Sequence, residues 1–475
     1  MKLRKYQSDF LASFFDSASK PNHLLIAPPG SGKTLMVVRI IDKLFSTKAN
    51  QILILTSARV MADQYKMIIH EYKPDAVPMI LSTRTYREYE AVKRINNEIL
   101  PNIIISTWDS ALDENAQQFI MSTDWELIII DSLMRSTTSQ KAILLEKLNR
   151  KVNSKHILII SDPMSGETIK EIIGEEVKSF KITSWSLKEL YSEFRQLSPV
   201  VIRILDYKRT DREIEFIHSY LDISKQLPGK AFGNLLRQRL VCSSLFAAEE
   251  SLRRFRNRLF HTLEDDIDND EDENFQDIYD NRHSWHVDKD QIDRGNDPDK
   301  REEQTILLSK ALSSLERIQV DSKFDALQSY LEENTKSNSR IWIYSTYQTT
   351  IKYLHTSLNE NFSDVYYING GMSPSSVNET ISRFNREGGI LISSNTKLEG
   401  YFINFNRILF YDIPTNPSQL YAILSRMMTS EYHKFERPLE LLMLKDVSKT
   451  LDCEEENIQS IKHSLLSNLS NQDLT

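Results

Sequence analysis

From Leu24 to about Ile182 the chain repeats one pattern, a short apolar run followed by a stretch with apolar residues three and four apart. The runs are LLIAP (24–28), QILILT (51–56), NIIIST (102–107), WELIIID (125–131) and HILIIS (156–161). They are rich in Ile and Leu, do not alternate with polar residues, and close on Pro, Thr, Asp or Ser. Such runs predict strands buried on both faces of a parallel sheet and joined by crossover helices. Five of them predict a doubly wound α/β domain over residues 1–186. Residues 187–262 read as helical, with no strand run. After a helix at 304–334 a second α/β pattern begins, with runs RIWIYS (340–345), DVYYIN (364–369), GILIS (389–393), RILFYD (407–412) and LELLML (439–444). The expected layout is therefore an N-terminal α/β domain (1–186), a helical insert (187–303), a second α/β domain (304–447) and a helical tail (448–475).

Charge separates one segment from the rest. Residues 264–280 hold ten acids and no base, against a whole-chain charge of −8, so the remainder is net positive by two. The overall acidity is local, and a nucleic-acid partner stays compatible with it. Residues 264–303 read as a weakly ordered, solvated insertion. Just before it Arg253, Arg254, Arg256 and Arg258 form a basic knot, which suits either phosphate contact or balance of the acids that follow.

Composition narrows the function classes. Forty per cent hydrophobic and 27% charged residues supply ample core for a soluble chain of 475 residues. No apolar stretch reaches the ~18–20 residues of a membrane span, and the first ten residues lack a signal peptide's apolar core, so the reading is cytoplasmic with no membrane partner. Cys242 and Cys453 are the two cysteines, too few for a disulfide framework or a cysteine zinc site. No G-x-G-x-x-G occurs, which removes the dinucleotide fingerprint.

Twelve glycines in 475 residues is well under half the usual ~7%, so a close pair is conspicuous. Gly30 and Gly32 are such a pair, in Ala27-Pro28-Pro29-Gly30-Ser31-Gly32-Lys33-Thr34 between the first strand and the run LMVVRIIDKLF. This is G-x-x-x-x-G-K-[ST] with Ala27 in the first glycine's place. Backbone N–H groups of residues 29–34 can wrap a β-phosphate at a helix N-terminus, Lys33 can reach the outer phosphates, and the Thr34 hydroxyl can bind Mg²⁺. A P-loop of this kind needs a strand-end carboxylate for the metal's water shell, and Asp131 closes WELIIID. The next residue is Ser132, where a water-polarising glutamate is usual; a serine is no base at neutral pH.

Taken together the order of elements resembles the superfamily 2 helicases, specifically the Snf-family double-strand DNA translocases. Leu3-Arg4-Lys5-Tyr6-Gln7 is similar to the family's L-R-x-Y-Q element, and ILILTSARVMADQYK (52–66) to the segment that carries Q-W. IIISTWDSAL (103–112), RLVCSSLFAAEESLRR (239–254) and DSKFDALQSYLEE (321–333) resemble its T-Y-x-x-L, S-S-x-x-A-x-x-x-L and D-S-K-x-x-x-L elements. INGGMSPSSVNETISRFN (368–385) follows a further element with Val377 for its arginine, and NTKLEGYFINFNRILFYDIPTNPS (395–418) follows T-K-x-x-E-G…Y-D-x-P-x-N-P. The resemblance implies two RecA-like lobes, ATP and Mg²⁺ as ligands, and duplex DNA as partner. It implies a nucleotide-binding set of Arg4, Gln7, Pro29, Gly30, Ser31, Gly32, Lys33, Thr34, Glu399 and Gly400, with Gln7 reading the adenine. Lys33, Asp131 and Arg426 fall on catalytic positions, Thr34 and Asp131 on the metal side.

Departures from the family gather at those catalytic positions. D-E-x-H is Asp131-Ser132-Leu133-Met134, T-x-T-P is reduced to Ser161-Asp162-Pro163, and Q-x-x-G-R-x-x-R falls on Ala422, Ser425, Arg426 and Thr429. A missing arginine finger costs about 10³–10⁵ in rate and a missing base a further ~10²–10⁴. The expectation is retained ATP–Mg²⁺ binding with slow or absent turnover, a switch acting with partner subunits. Two alternatives stand beside it: a working translocase whose base comes from Asp162 or another subunit, and a catalytically dead scaffold.

Overall fold

The computed structural model describes residues 3–16, 22–27, 31–45, 51–81, 85–86, 101–131, 143–148, 154–161, 177–182, 200–226, 239–261, 298–335, 339–394, 398, 401–413, 423 and 439–448. The chain divides near residues 197 and 198 into two compact units. Among the described residues no helix is long and apolar enough to cross a membrane.

In the first unit, helix α1 (Lys5–Phe15) leads into strand β1 (Asn22–Ile26), helix α2 (Lys33–Phe45), strand β2 (Ile52–Thr56) and helix α3 (Arg59–Tyr72). Strands β3 (Pro78–Ile80), β4 (Ile103–Thr107), β5 (Trp125–Asp131), β6 (Ser154–Ser161) and β7 (Lys178–Lys181) complete a parallel sheet in the order β3-β4-β2-β5-β6-β1-β7. The unbroken apolar runs make sense here because alternate residues serve two cores. Leu25, Ile52, Ile54, Ile103, Ile129 and Leu158 pack against α1, α2 and α3. Leu24, Leu53, Ile104, Ile128 and Ile159 pack on the other face against the helices Trp108–Ala111 and Glu114–Ser122. A crevice at the carboxyl ends of such strands is where ligands bind in this architecture.

The second unit has its own parallel sheet. Strands β8 (Val200–Tyr207), β9 (Arg340–Tyr344), β10 (Val365–Ile368), β11 (Gly389–Ser393), β12 (Arg407–Phe410) and β13 (Leu439–Asp446) lie in the order β10-β11-β9-β12-β13-β8. Helices Ser322–Asn334 and Gln348–Leu358 cover one face. Helices Asp211–Gln226, Leu245–His261 and Pro298–Leu315 share a separate core around Phe216, Tyr220, Leu252 and Leu312.

The structure corrects the sequence reading in three places. Residues 187–262 are not wholly helical, because β8 is a strand of the second sheet. Its run VVIRIL is interrupted by Arg203, whose guanidinium is 3.3 Å from Glu440 on β13, so the charge that disguised the strand is matched by its neighbour. The helix expected at 304–334 is two helices, Pro298–Leu315 and Ser322–Asn334, the second opened by Asp321 accepting from the Phe324 N–H at 3.0 Å. The first starts inside the stretch read as weakly ordered, at Pro298, a residue suited to a first helical turn. The remainder of 264–303 and the tail from 449 onward lie outside the described residues.

One histidine pair, His23 buried and His156 half-buried, makes the first unit sensitive to acid. His23 on β1 is 3% exposed, its ring centroid 4.3 Å from that of Phe14 and 5.9 Å from that of His156. His23 Nε2 and His156 Nδ1 are buried with no hydrogen-bond partner among the described residues. Burial first, then the neighbouring His156 and Lys178, pulls the His23 imidazolium down from 6.5 to about 4; burial lowers His156 as well. The unfolded chain therefore binds these protons first. Stability is fully present above pH 6.5 and is lost as pH falls toward 4, by up to about 3 kcal/mol for His23. Urea unfolding at pH 7 and pH 5 is expected to show this loss, and His23→Phe to flatten it; an equal slope in wild type and variant would exclude His23 as its source.

Candidate functional site

The described ends of the candidate phosphate loop, Ala27 and residues 31–34, are shaped by local sequence. β1 hands over at Ala27, whose N–H donates to the Ser161 carbonyl at 2.9 Å and so extends the ladder one residue past the strand. Gly32 sits at φ +78°, the left-handed region, and its carbonyl accepts from the Met36 N–H at 3.1 Å as α2 begins. A Cβ on Gly32 would lie 2.4 Å from Gln7 Nε2, so the position requires glycine for space as well as for φ.

That contact shows what α1 does. Gln7 is buried; its Nε2 donates to the Ser31 carbonyl at 3.0 Å while its Oε1 accepts from the Arg4 N–H at 3.0 Å. The Tyr6 hydroxyl donates to the same Ser31 carbonyl at 2.9 Å. Arg4, Tyr6 and Gln7 thus staple the first helix to the loop. Gln7, expected from the resemblance to read the adenine, is placed by the structure on the loop backbone. Ser31 is fully buried and its Oγ has no partner among the described residues. Lys33 Nζ donates to the Ala27 carbonyl at 3.2 Å, folding the ammonium over the loop.

Asp131 ends β5, which lies two strands from β1 with β6 between them, and is 2% exposed. Its Oδ2 accepts from the Tyr65 hydroxyl at 2.5 Å, and the Thr34 side chain lies close enough to that hydroxyl to favour its ionised form. Burial pushes the Asp131 carboxyl up, while the Lys33 ammonium and the Tyr65 bond pull it back. Burial, with Asp131 beside it, pushes the Tyr65 hydroxyl well above its ordinary value, so it remains a proton donor at neutral pH. Lys33, Thr34, Tyr65 and Asp131 therefore form one polar cluster at the carboxyl ends of β1 and β5.

This donor set fits a Mg²⁺–nucleotide. An orphaned buried hydroxyl (Ser31), an ammonium (Lys33), a hydroxyl (Thr34) and a carboxylate (Asp131) meet at a helix N-terminus, the combination a metal-bound polyphosphate needs. Pro29, Gly30, Glu399, Gly400 and Arg426 lie outside the described residues, as do Ser132 and Asp162. Tyr65 was missed from sequence, since its place in the spacing Ala62-Tyr65-Ile69 marks an ordinary core stripe. The available signal was chemical, because a fully buried tyrosine usually needs a partner for its hydroxyl.

In the second unit several of the sequence elements converge on Asp412. Its Oδ2 accepts from Ser243 Oγ at 2.8 Å and Ser345 Oγ at 2.5 Å, and its Oδ1 from the Thr346 N–H at 2.7 Å. Ser243 and Ser244 both pair with Thr350, at 2.8 and 3.1 Å, and Lys323 Nζ donates to the Cys242 carbonyl at 2.8 Å. Of the basic knot, Arg253 is paired with Glu249 at 2.7 Å; the side chains of Arg254 and Arg258 lie outside the described residues.

Residues 1–161 match the family described as type III restriction enzyme, res subunit, and residues 322–429 match the helicase conserved C-terminal domain. Among solved structures, the Hef helicase domain of Pyrococcus furiosus is similar over 96% of this chain and 98% of its own, with a TM-score of 0.50 and 16% identity. The SWI2/SNF2 ATPase core of Sulfolobus solfataricus, solved in complex with dsDNA, aligns over 98% of this chain and 95% of its own at 13% identity and a TM-score of 0.34. No curated protein matches the chain. Two parallel-sheet α/β units, matched over residues 1–161 by the type III restriction enzyme res-subunit family and over residues 322–429 by the helicase conserved C-terminal domain, give this chain the tandem RecA-like fold.

Proposed function

We propose that this protein binds ATP with Mg²⁺ at the mouth of β1 and β5, acts on duplex DNA in the manner of the Snf-type translocases, and turns ATP over slowly or not at all. The observation that carries the reading is the meeting of Lys33, Thr34 and Asp131 around a loop whose Ser31 hydroxyl is buried and orphaned. Lys33 would hold the outer phosphates, the loop amides the β-phosphate, and Thr34 and Asp131 the metal. When bound, Mg²⁺ neutralises phosphate charge. Binding leans on groups this chain retains, whereas cleavage leans on groups it lacks: Ser132 replaces the base and Thr429 replaces one arginine.

The magnitudes favour a switch. Loss of a base and a finger together removes several orders of magnitude from the rate, while most phosphate contacts stay in place. ATP occupancy then sets which conformation prevails, and differential affinity for DNA transmits it. Partner subunits in a larger complex would read that state. Measuring the affinity of the full chain for a DNA duplex, with and without a non-hydrolysable ATP analogue and Mg²⁺, tests this. The analogue is expected to change the DNA affinity; an affinity indifferent to saturating analogue contradicts the switch.

A further inference from the structure

The segment after β2 resembles one in which the family carries tryptophan after glutamine; here the pair is Gln64-Tyr65, and the change adds a hydroxyl. A core tyrosine could satisfy that hydroxyl on a backbone carbonyl. Tyr65 instead donates its one proton to Asp131 Oδ2 at 2.5 Å, with Thr34 beside it, in a site where both Tyr65 and Asp131 are buried. A tyrosine hydroxyl is one donor with acceptor capacity, so with its proton on Asp131 it takes none of the lone pairs of the neighbouring Thr34 hydroxyl, which stay available for a cation. Asp131 keeps Oδ1, its Oδ2 being held by Tyr65.

We infer that Tyr65 is a positioning residue of the metal side of this site, its hydroxyl holding the Asp131 carboxylate beside Thr34, the two groups that would take Mg²⁺. The inference rests on the Mg²⁺–ATP reading above. Its consequence is specific, because removing the hydroxyl takes from the buried Asp131 Oδ2 the bond that holds it, while Lys33 and the loop amides are untouched. Outer partners of metal-binding groups typically contribute about 10–100-fold to metal affinity.

The test measures the affinity of the purified full chain for a fluorescent ADP, in Mg²⁺ and in EDTA, for wild type and for Tyr65→Phe. Wild type is expected to bind more tightly in Mg²⁺. Tyr65→Phe is expected to lose about 10-fold or more of that Mg²⁺-dependent gain, with its affinity in EDTA unchanged. Tyr65→Trp, which fills the volume with the family's residue and also lacks a hydroxyl, is expected to behave the same way and stands in if the phenylalanine variant does not fold. A full Mg²⁺ gain in either folded variant overturns the inference and leaves the nucleotide site standing. Equal loss of affinity in Mg²⁺ and EDTA also overturns it, marking Tyr65 as packing. If wild type binds no nucleotide under either condition, the inference falls together with the reading beneath it.

Discussion

Ser132→Glu is expected to raise ATP turnover by about 10²–10⁴, the contribution usual for a general base. The residue follows Asp131 directly, and Asp131 is the carboxylate that the end of β5 sets within reach of the Lys33 ammonium. A serine hydroxyl does not take a proton from water near neutral pH, whereas a carboxylate does. The readout is steady-state phosphate release at saturating Mg²⁺–ATP with duplex DNA, compared with wild type in parallel. The gain is expected to stay below that of an intact motor, since the resemblance sets Thr429 where the family has its second arginine; adding Thr429→Arg is expected to raise the rate again. An unchanged rate in Ser132→Glu would mean that the missing base does not limit the reaction.

Gly32→Ala carries the second large effect, on binding. The backbone there is left-handed at φ +78°, which costs a non-glycine residue roughly 1–2 kcal/mol. The added Cβ would meet Gln7 Nε2 at 2.4 Å. Gln7 cannot withdraw freely, since it holds the Ser31 carbonyl and the Arg4 N–H from a buried position. Breaking those bonds adds about 1–3 kcal/mol. Either the loop or α1 must move, and the expected result is a fall in nucleotide affinity of about 100-fold or more, as 1.4 kcal/mol is tenfold. Thermal unfolding is expected to show a lowered midpoint as well. Undiminished affinity in Gly32→Ala would show that the loop geometry described here is not the binding geometry.

The fold was largely legible because its strands are buried on both faces. An Ile- and Leu-rich run such as LIII in β5 serves a core on each side, so it reads without ambiguity. Legibility failed at the edges. β3 is three residues long, β7 is the half-exposed KSFK, and β8 carries an arginine that pairs with Glu440 of its partner strand. The site divides in the same way. The P-loop stood out through scarce glycine and its lysine, and Asp131 through its strand end. The roles of Gln7 and Tyr65 depend on contacts across 24 and 66 residues of sequence, with Ser31 and Asp131 respectively, which no local pattern encodes.

A site that keeps the phosphate-binding groups and lacks the cleaving ones should grip ATP without cutting it efficiently. The most direct test is one sample of the full chain with Mg²⁺–ATP and duplex DNA, in which bound nucleotide and released phosphate are followed together. The account predicts saturable binding with release slow or undetectable over many minutes. Release at tens per second, within the ordinary range for a working enzyme of about 1–10³ per second, would contradict it, and so would the failure of any nucleotide to bind.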